Sequence, residues 1–241
     1  MCHGVKSAAF PDPGPFSTYS TAIQASIYGD EDASKKIAIL PDIYGCNPFY
    51  QGFATHLAEK DARVFLVDIF AGLGDIPKAT REAAFERRHA LRDKTFVDSF
   101  EVFIDAESID AVVGFCLGGL FVFELARRNV RPVLIGLYPF PQGLKNQDPL
   151  DVPFDYLPEV TKQHQILVGA DDASLGPENL ERLRAVSADN AALDLHVFET
   201  SGHGFLADLT SDDALKRENA ELALEICERT LGFAADSATK G

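Results

Sequence analysis

The chain has 241 residues, 46% of them hydrophobic, and a formal net charge of −15 at pH 7. This length suffices to bury one ordinary core, and so acidic a surface repels phosphate backbones and anionic lipid heads. No apolar run approaches the roughly 20 residues of a membrane-spanning helix. We therefore expect one domain over residues 1–241 that binds neither nucleic acid nor membranes.

The amino-terminal residues 1–18 include a Pro- and Gly-rich stretch and lack the hydrophobic segment of a signal peptide. We expect this segment to be irregular. The four cysteines are far apart and form no CxxC pair, which favours reduced thiols over a disulfide framework. These features predict a cytoplasmic protein.

Apolar runs typical of buried strands alternate with amphipathic runs typical of helices along the rest of the chain. Strands are predicted over residues 20–29, 35–41, 63–70, 110–115, 131–140, 164–170 and 193–199. Helices are predicted over residues 48–60, 79–93, 94–105, 117–128, 177–186 and 212–231, with a frayed tail over 233–241. Short buried strands separated by helices predict an α/β fold, with a mostly parallel sheet covered by helices on both faces.

The segment from Gly114 to Gly119 reads GFCLGG and joins a predicted strand to a predicted helix. It matches G-x-nucleophile-x-G, the nucleophile elbow, in which the central residue sits on a strained turn. The flanking glycines avoid a clash with the adjacent strand and helix. The pattern predicts Cys116 as a nucleophile that points outward, with the helix N-terminus favouring its thiolate. A buried structural cysteine is the alternative.

A nucleophile in this architecture needs a histidine base and an orienting acid, in the chain order nucleophile, acid, histidine. Among six histidines, His203 lies in a glycine-flanked loop after the last predicted strand, where the base is expected. The acid is expected in the loop after the preceding strand, which offers Asp171 and Asp172. We prefer Asp172 for its spacing from Gly169 and Leu175, and Asp171 stays open.

These residues predict covalent catalysis. His203 takes the proton of Cys116 while Asp172 holds the imidazole in the right tautomer, and the thiolate forms a thioester that water cleaves. The developing oxyanion needs two backbone N–H donors. We expect them from Leu117, directly after the nucleophile, and from Ile43, in the loop after the strand over 35–41.

The sequence resembles the dienelactone hydrolase family of α/β-hydrolases over about residues 20–231. The resemblance is carried by GFCLGG, the acid loop VGADDASLGP, the loop SGHGF and the loop PDIYGCNPF. It implies an α/β-hydrolase fold without a large cap, a Cys-His-Asp triad and cleavage of enol lactones or other activated esters. We expect neither cofactor nor metal, since the chain has no HExxH motif or paired Cys/His ligand set.

The chain departs from the family pattern at two positions. Asp42 stands where the family usually has a glutamate that controls the ionisation of the cysteine, and Ala207 stands where an arginine tends to hold the substrate carboxylate. Arg81, Arg87 and Arg88 are candidates for a second substrate-binding arginine, with a solvated helix face as the alternative. Because one carboxylate clamp is missing, we expect a neutral or less anionic substrate, such as a lactone, an aryl ester or an activated phosphotriester.

Two aromatic residues complete the predicted substrate site. Tyr138 follows a strand end in LYPFPQGL, with ordinary core packing as the alternative, and Phe205 lies in the SGHGF loop. We expect a small-molecule substrate and a monomer or small homo-oligomer. Three other functions compete with ester hydrolysis: a thiol-based redox sensor with Cys46 as the resolving cysteine, a small-molecule-binding module that keeps the hydrolase fold, and a metal-dependent hydrolase.

Overall fold

An eight-stranded sheet forms the centre of the computed structural model, which describes Phe10, residues 17–76 and residues 78–233. Its strands are β1 (Ser17–Ser20), β2 (Gln24–Tyr28), β3 (Lys35–Leu40), β4 (Ala62–Val67), β5 (Ala111–Phe115), β6 (Val133–Leu137), β7 (His164–Gly169) and β8 (Leu193–Phe198). Its helices are α1 (Pro48–Ala58), α2 (Arg81–Ala90), α3 (Asp93–Glu107), α4 (Leu117–Arg127), α5 (Pro153–Tyr156), α6 (Pro177–Asp189) and α7 (Ala214–Thr230). Two 3₁₀ segments cover Leu157–Glu159 and Phe205–Thr210.

The strand order is β1-β2-β4-β3-β5-β6-β7-β8. The pairs β1–β2 and β2–β4 are antiparallel. From β4 to β8 every pair is parallel. The carboxyl ends of these six strands therefore lie at one edge of the sheet, where open α/β sheets bind their ligands.

Hydrophobic residues form one core on each face of the sheet. Along β3, Ala38 and Leu40 belong to one core and Ile37 and Ile39 to the other, the alternation expected of a strand buried on both faces. Helices α3, α4 and α6 cover the first core, and α1 and α7 cover the second. The predicted α/β class, with a mostly parallel sheet between helices, is confirmed.

The amino-terminal edge of the sheet differs from the prediction. One strand was expected over 20–29, whereas β1 and β2 form a hairpin with Ser17 paired to Ile27. Ser17 and Thr18 lie in β1, so the irregular segment predicted over 1–18 extends too far. The sequence pattern did not indicate β1 as a separate strand because β1 is short, mostly polar and mostly exposed. Residues 1–9, 11–16 and 234–241, which hold most of both predicted irregular ends, lie outside the described residues.

Candidate active site

Cys116 is the single residue between β5 and α4, and its backbone is strained. Its φ of 55° and ψ of −106° are unusual for a residue with a side chain. The Cys116 N–H donates to the Leu137 carbonyl over 3.0 Å, and its carbonyl accepts from Leu120 N over 3.1 Å. Neighbouring backbone on both sides thus fixes the turn, which has the geometry of a nucleophile elbow.

The glycines around Cys116 are required by close backbone approach. A Cβ atom on Gly114 would overlap the carbonyl of Gly118, and one on Gly118 would overlap the carbonyl of Leu40 in β3. Gly118 N also donates to the carbonyl of Pro41 over 3.2 Å. The elbow is therefore packed directly against the end of β3 and the loop that follows it.

Cys116 is less exposed than its position on the elbow suggested. The sequence pattern predicted an outward-pointing side chain, but the residue is only 1% exposed. It belongs to the core cluster that also contains Phe49, Tyr50, Phe115 and Tyr138. The reason is that aromatic residues from α1 and from the loop after β6 converge on the same edge of the sheet, which the local motif could not reveal.

His203 and Asp172 form a buried hydrogen-bonded pair. Nδ1 of His203 lies 2.7 Å from Oδ2 of Asp172, with side-chain exposures of 4% and 1%. The other carboxylate oxygen of Asp172 accepts from the N–H groups of Ser174 over 2.8 Å and Leu175 over 3.2 Å. The carboxylate therefore stabilises the tautomer that carries a proton on Nδ1 and leaves Nε2 as the basic nitrogen.

Asp171 has a different environment from its neighbour. Its side chain is exposed, and its backbone N–H donates to the carbonyl of Ser201 over 2.9 Å. The structure thus brings Asp172, rather than Asp171, to the imidazole. Ser174 had no assigned role in the sequence reasoning. The sequence does indicate its contact with Asp172, because an aspartate side chain commonly accepts a hydrogen bond from the backbone N–H two residues later in a turn.

Aromatic rings enclose the His203 imidazole. Tyr138 lies edge-on to it at a centroid distance of 5.2 Å, and Phe140 is tilted towards it at 5.4 Å. Tyr138 also contacts Phe115, the residue before Cys116, at 6.1 Å, and Phe205 at 5.6 Å. Tyr138 and Phe205 are both buried, so Tyr138 packs against the imidazole and Phe205 packs against Tyr138, and neither ring offers an exposed surface to a substrate.

Asp42 and Ile43 lie in a tight turn after β3. Gly45 N donates to the Asp42 carbonyl over 3.0 Å, and Tyr44 N donates to Oδ1 of Asp42 over 2.8 Å. Asp42 is completely buried. Since Gly118 N bonds to Pro41, this turn sits beside the elbow, and it places Ile43 and Leu117 on adjoining segments.

The three candidate arginines of α2 have different surroundings. Arg81 is exposed, and its guanidinium lies 5.3 Å from the centre of the Phe85 ring. Arg87 is half-buried and donates to the carbonyl of Ile43 over 3.2 Å. Arg88 is buried and paired with Asp93 at 2.6 Å. Of the three, Arg87 therefore contacts the turn beside the elbow.

Cys46 lies in the same loop and has the surroundings of a structural thiol. Its Sγ donates to the carbonyl of Val67 over 3.4 Å. Burial raises the pKa of the Cys46 thiol, and the carboxylates of Asp68 and Asp42 raise it further against the opposing effect of Arg87. A thiol held protonated in this way is a poor partner for thiol–disulfide exchange, which needs a thiolate.

The described residues contain neither a cluster of metal-ligating side chains nor a helix suited to cross a membrane. Within Phe10, residues 17–76 and residues 78–233, no group of three or more His, Cys, Asp or Glu side chains is arranged to hold a metal ion. In the same ranges, no helix combines the length and apolar character that crossing a bilayer requires.

Comparison with known proteins identifies related enzymes. The sequence profile of the dienelactone hydrolase family matches residues 23–234. Carboxymethylenebutenolidase 2 of Cupriavidus pinatubonensis is 51% identical over 232 residues, which cover 96% of this chain and 99% of that protein. Carboxymethylenebutenolidase of Rhodococcus opacus is 28% identical over 248 residues, covering 96% and 98% of the two chains.

Solved structures share the fold at lower identity. A protein of Klebsiella pneumoniae classed as a dienelactone hydrolase has a TM-score of 0.75 at 17% identity, over 92% of this chain and 100% of that one. A dienelactone hydrolase-like promiscuous phosphotriesterase from metagenomic libraries has a TM-score of 0.60 at 17% identity, over 91% and 97%. At 17% identity these structures show a shared fold alone. The family is shown by the sequence profile and by the Cupriavidus relative, which both match nearly the whole chain. The chain therefore belongs to the dienelactone hydrolase family and is a hydrolase.

Proposed function

We propose that this hydrolase cleaves enol lactones and related activated esters through a thioester on Cys116, with His203 as base and Asp172 as orienting acid. The observation that carries the proposal is the 2.7 Å bond between Nδ1 of His203 and Oδ2 of Asp172. Asp172 follows β7 and His203 follows β8, at the same edge of the sheet as the strained elbow after β5. A buried Asp–His pair at the same sheet edge as such an elbow is the arrangement expected to activate a nucleophile.

The reaction runs in two halves. Nε2 of His203 takes the thiol proton as the Sγ electron pair attacks the carbonyl carbon, and the carbonyl electrons move onto the oxygen. Collapse of this intermediate forms the thioester and expels the enolate oxygen, which receives the proton from Nε2. A water molecule, deprotonated by the same nitrogen, then attacks the thioester and releases the carboxylic acid and the thiol.

The backbone N–H groups of Leu117 and Ile43 are the proposed donors to the oxyanion. Leu117 begins α4, so its amide belongs to the first turn, where N–H groups have no partner within the helix. Ile43 occupies the second position of the Asp42–Gly45 turn, whose own bond uses the N–H of Gly45. Both amides are thus outside the regular bonding of their elements, as oxyanion donors must be. Asp42, buried in this turn, is the proposed modulator of the Cys116 thiol.

For the substrate we propose an anionic butenolide. The name of the Cupriavidus relative indicates a butenolide with a carboxymethylene substituent, and that protein is 51% identical over nearly the whole chain. The neutral or less anionic substrate expected from Ala207 is the alternative, and the substrate panel below distinguishes the two. Arg81, exposed on α2, is the proposed partner of the substrate carboxylate. Tyr138, which contacts the imidazole, and Phe205, which contacts Tyr138, are the proposed aromatic residues of the substrate site.

We also propose that the protein has one domain and a cytoplasmic location. A single domain is supported by the continuous sheet from Ser17 to Phe198. A cytoplasmic location is supported by the reduced thiols of Cys46 and Cys227. We propose a monomer or small homo-oligomer acting on a small molecule.

The test is hydrolysis by Cys116→Ala, with Cys227→Ala as the matched control because Cys227 is buried in α7. The substrates are a carboxylate-bearing dienelactone, a neutral lactone, p-nitrophenyl acetate and an activated phosphotriester, each with and without EDTA. We expect Cys116→Ala to lower kcat by at least roughly 1000-fold and Cys227→Ala to retain activity, with EDTA having no effect.

Other outcomes point elsewhere. Near-native turnover by Cys116→Ala would remove the covalent mechanism. Activity that depends on added zinc would favour a metal-dependent hydrolase. Preference for the phosphotriester or for the neutral lactone over the dienelactone would overturn the substrate proposal and leave the triad in place.

A further inference from the structure

Arg87 connects two loops at the carboxyl edge of the sheet. From α2, its Nη2 donates to the carbonyl of Ile43 over 3.2 Å, and its Nη1 donates to the carbonyl of Gly74 over 3.4 Å. The guanidinium lies 4.0 Å from the centre of the Phe70 ring, a distance typical of a cation–π contact. The side chain is thus held on three sides by the segments that follow β3 and β4.

The Ile43 carbonyl belongs to the turn that holds a proposed oxyanion donor. The Asp42–Gly45 turn is closed by its backbone bond and by the Asp42 carboxylate, which accepts from Tyr44 N. These bonds fix both ends of the turn, and Arg87 fixes its centre. A Cβ atom on Gly45 would lie 3.4 Å from Nη2 of Arg87, so the guanidinium packs directly against the turn.

We propose that Arg87 is a positioning residue that holds the Asp42–Gly45 turn so that the Ile43 N–H points at the developing oxyanion. This inference rests on the proposed function, because it assumes that Ile43 donates to the oxyanion. Arg87 acts through the turn and does not bind the substrate.

The charge and bonding of Arg87 agree with this role more than with that of a carboxylate clamp. Its two terminal nitrogens already donate to carbonyls, and Nε is buried without an acceptor in the described part of the chain. Burial lowers the pKa of Arg87 against the opposing carboxylates of Asp68 and Asp75, so nearby carboxylates already face its charge. A clamp presents two adjacent N–H groups to one carboxylate, whereas here the fork spans two protein loops.

Lysine cannot reproduce this bridge. Its ammonium is a compact point charge without a planar fork, so it can reach one carbonyl but does not span Ile43 and Gly74 in the same way. The apolar stem of lysine can still pack beside Phe70. The substitution Arg87→Lys therefore removes the bridge between the two loops and keeps the packing beside Phe70.

The experiment compares Arg87→Met and Arg87→Lys with Arg229→Met, a change at a 66% exposed arginine at the end of α7. For each protein, kcat and KM are measured on neutral p-nitrophenyl acetate and on a carboxylate-bearing dienelactone. Far-ultraviolet circular dichroism and urea unfolding of each variant show how much protein is folded, so that loss of folded protein is not mistaken for loss of catalysis.

We expect Arg87→Met to lower kcat by roughly 10- to 100-fold on both substrates, as a displaced oxyanion donor would. KM should stay within about 2-fold, because the substrate does not contact Arg87. Arg87→Lys should fall between the wild type and Arg87→Met. Arg229→Met should match the wild type.

Two outcomes would overturn the inference. A rise of KM confined to the anionic substrate would identify Arg87 as a carboxylate clamp, and unchanged kcat on both substrates would show that the turn does not need it. If Arg87→Met does not fold, Arg87→Lys decides by the same criteria. Failure of the proposed function is recognised separately, because Cys116→Ala would then remain active whatever the Arg87 variants do.

Discussion

Asp171 and Asp172 show how much of a site is decided at the scale of one residue. Both are aspartates in one loop after β7, and the sequence left both open as the orienting acid. In the structure Asp172 is 3% exposed and bonded to His203 and to two loop N–H groups, while the Asp171 side chain is exposed. The difference arises from the direction in which each side chain leaves a turn, and composition or spacing does not encode that direction strongly.

This pair gives a matched test of the triad. We expect Asp172→Asn to lower kcat by roughly 1000- to 10,000-fold, because an amide can donate to Nδ1 and so favour the tautomer that leaves Nε2 protonated. Asp171→Asn, with the same chemical change one position away, should keep kcat within about 3-fold. The measurement is the initial rate on the preferred lactone at saturating concentration. Equal losses in the two variants would contradict the assignment of Asp172.

At the scale of elements, the sequence predicted best where burial is continuous. Residues of β5 are all buried, and their apolar run was assigned to a strand that the structure confirms. Among the strands that the structure describes, β1 pairs with β2 alone, and its sequence is mostly polar, so it lacks the apolar run that indicates a buried strand. Likewise, α2 and α3 were predicted as adjacent helices, but the buried contact that joins them could not be predicted from their charged surfaces.

That contact is the ion pair between Arg88 of α2 and Asp93 of α3, 2.6 Å apart and almost fully buried. Removing one partner leaves an uncompensated buried charge. We expect Arg88→Met to lower the free energy of unfolding at pH 7 by about 3–5 kcal/mol, and the double variant Arg88→Met/Asp93→Leu to recover most of that loss. Urea unfolding provides the measurement.

A neighbouring arginine serves as the control for this prediction. Arg92 lies between the two helices and is exposed, so Arg92→Met should change the free energy of unfolding by no more than about 0.5 kcal/mol. If the double variant were as unstable as Arg88→Met alone, the cost would come from lost packing and not from the unpaired carboxylate.

At the scale of the whole molecule, the sequence predicted the kinds of elements and that the three candidate residues follow strands of one mostly parallel sheet. Because parallel strands place all their carboxyl ends together, Cys116, Asp172 and His203 follow β5, β7 and β8 at one edge of the sheet. The near-complete burial of Cys116 was not predicted. It depends on Phe49 of α1 and Tyr138 after β6 packing in the same core, which is a property of the assembled fold.

Two buried titratable groups change the free energy of unfolding in opposite directions as pH falls. Burial raises the pKa of Asp93 to about 6 against the opposing effect of Arg88, so below pH 6 the folded chain takes up a proton that the unfolded chain binds only near 3.8. This group favours folding as pH falls. Burial lowers the pKa of His164, whose Nδ1 lies 2.9 Å from the carbonyl of Lys162. The unfolded chain therefore protonates this histidine first, and its contribution to stability is lost as pH falls below 6.5.

The difference between the wild type and His164→Gln isolates the histidine from the aspartate. We expect the wild type to lose stability relative to His164→Gln as pH falls from 7.5 to 5, by at most about 1.4 kcal/mol per pH unit for one proton. Urea unfolding across this range gives the two curves. Parallel curves for His164→Gln and the wild type would show that His164 titrates alike in both states. Because Asp93 is present in both proteins, its opposite response cancels in the difference and cannot produce this result.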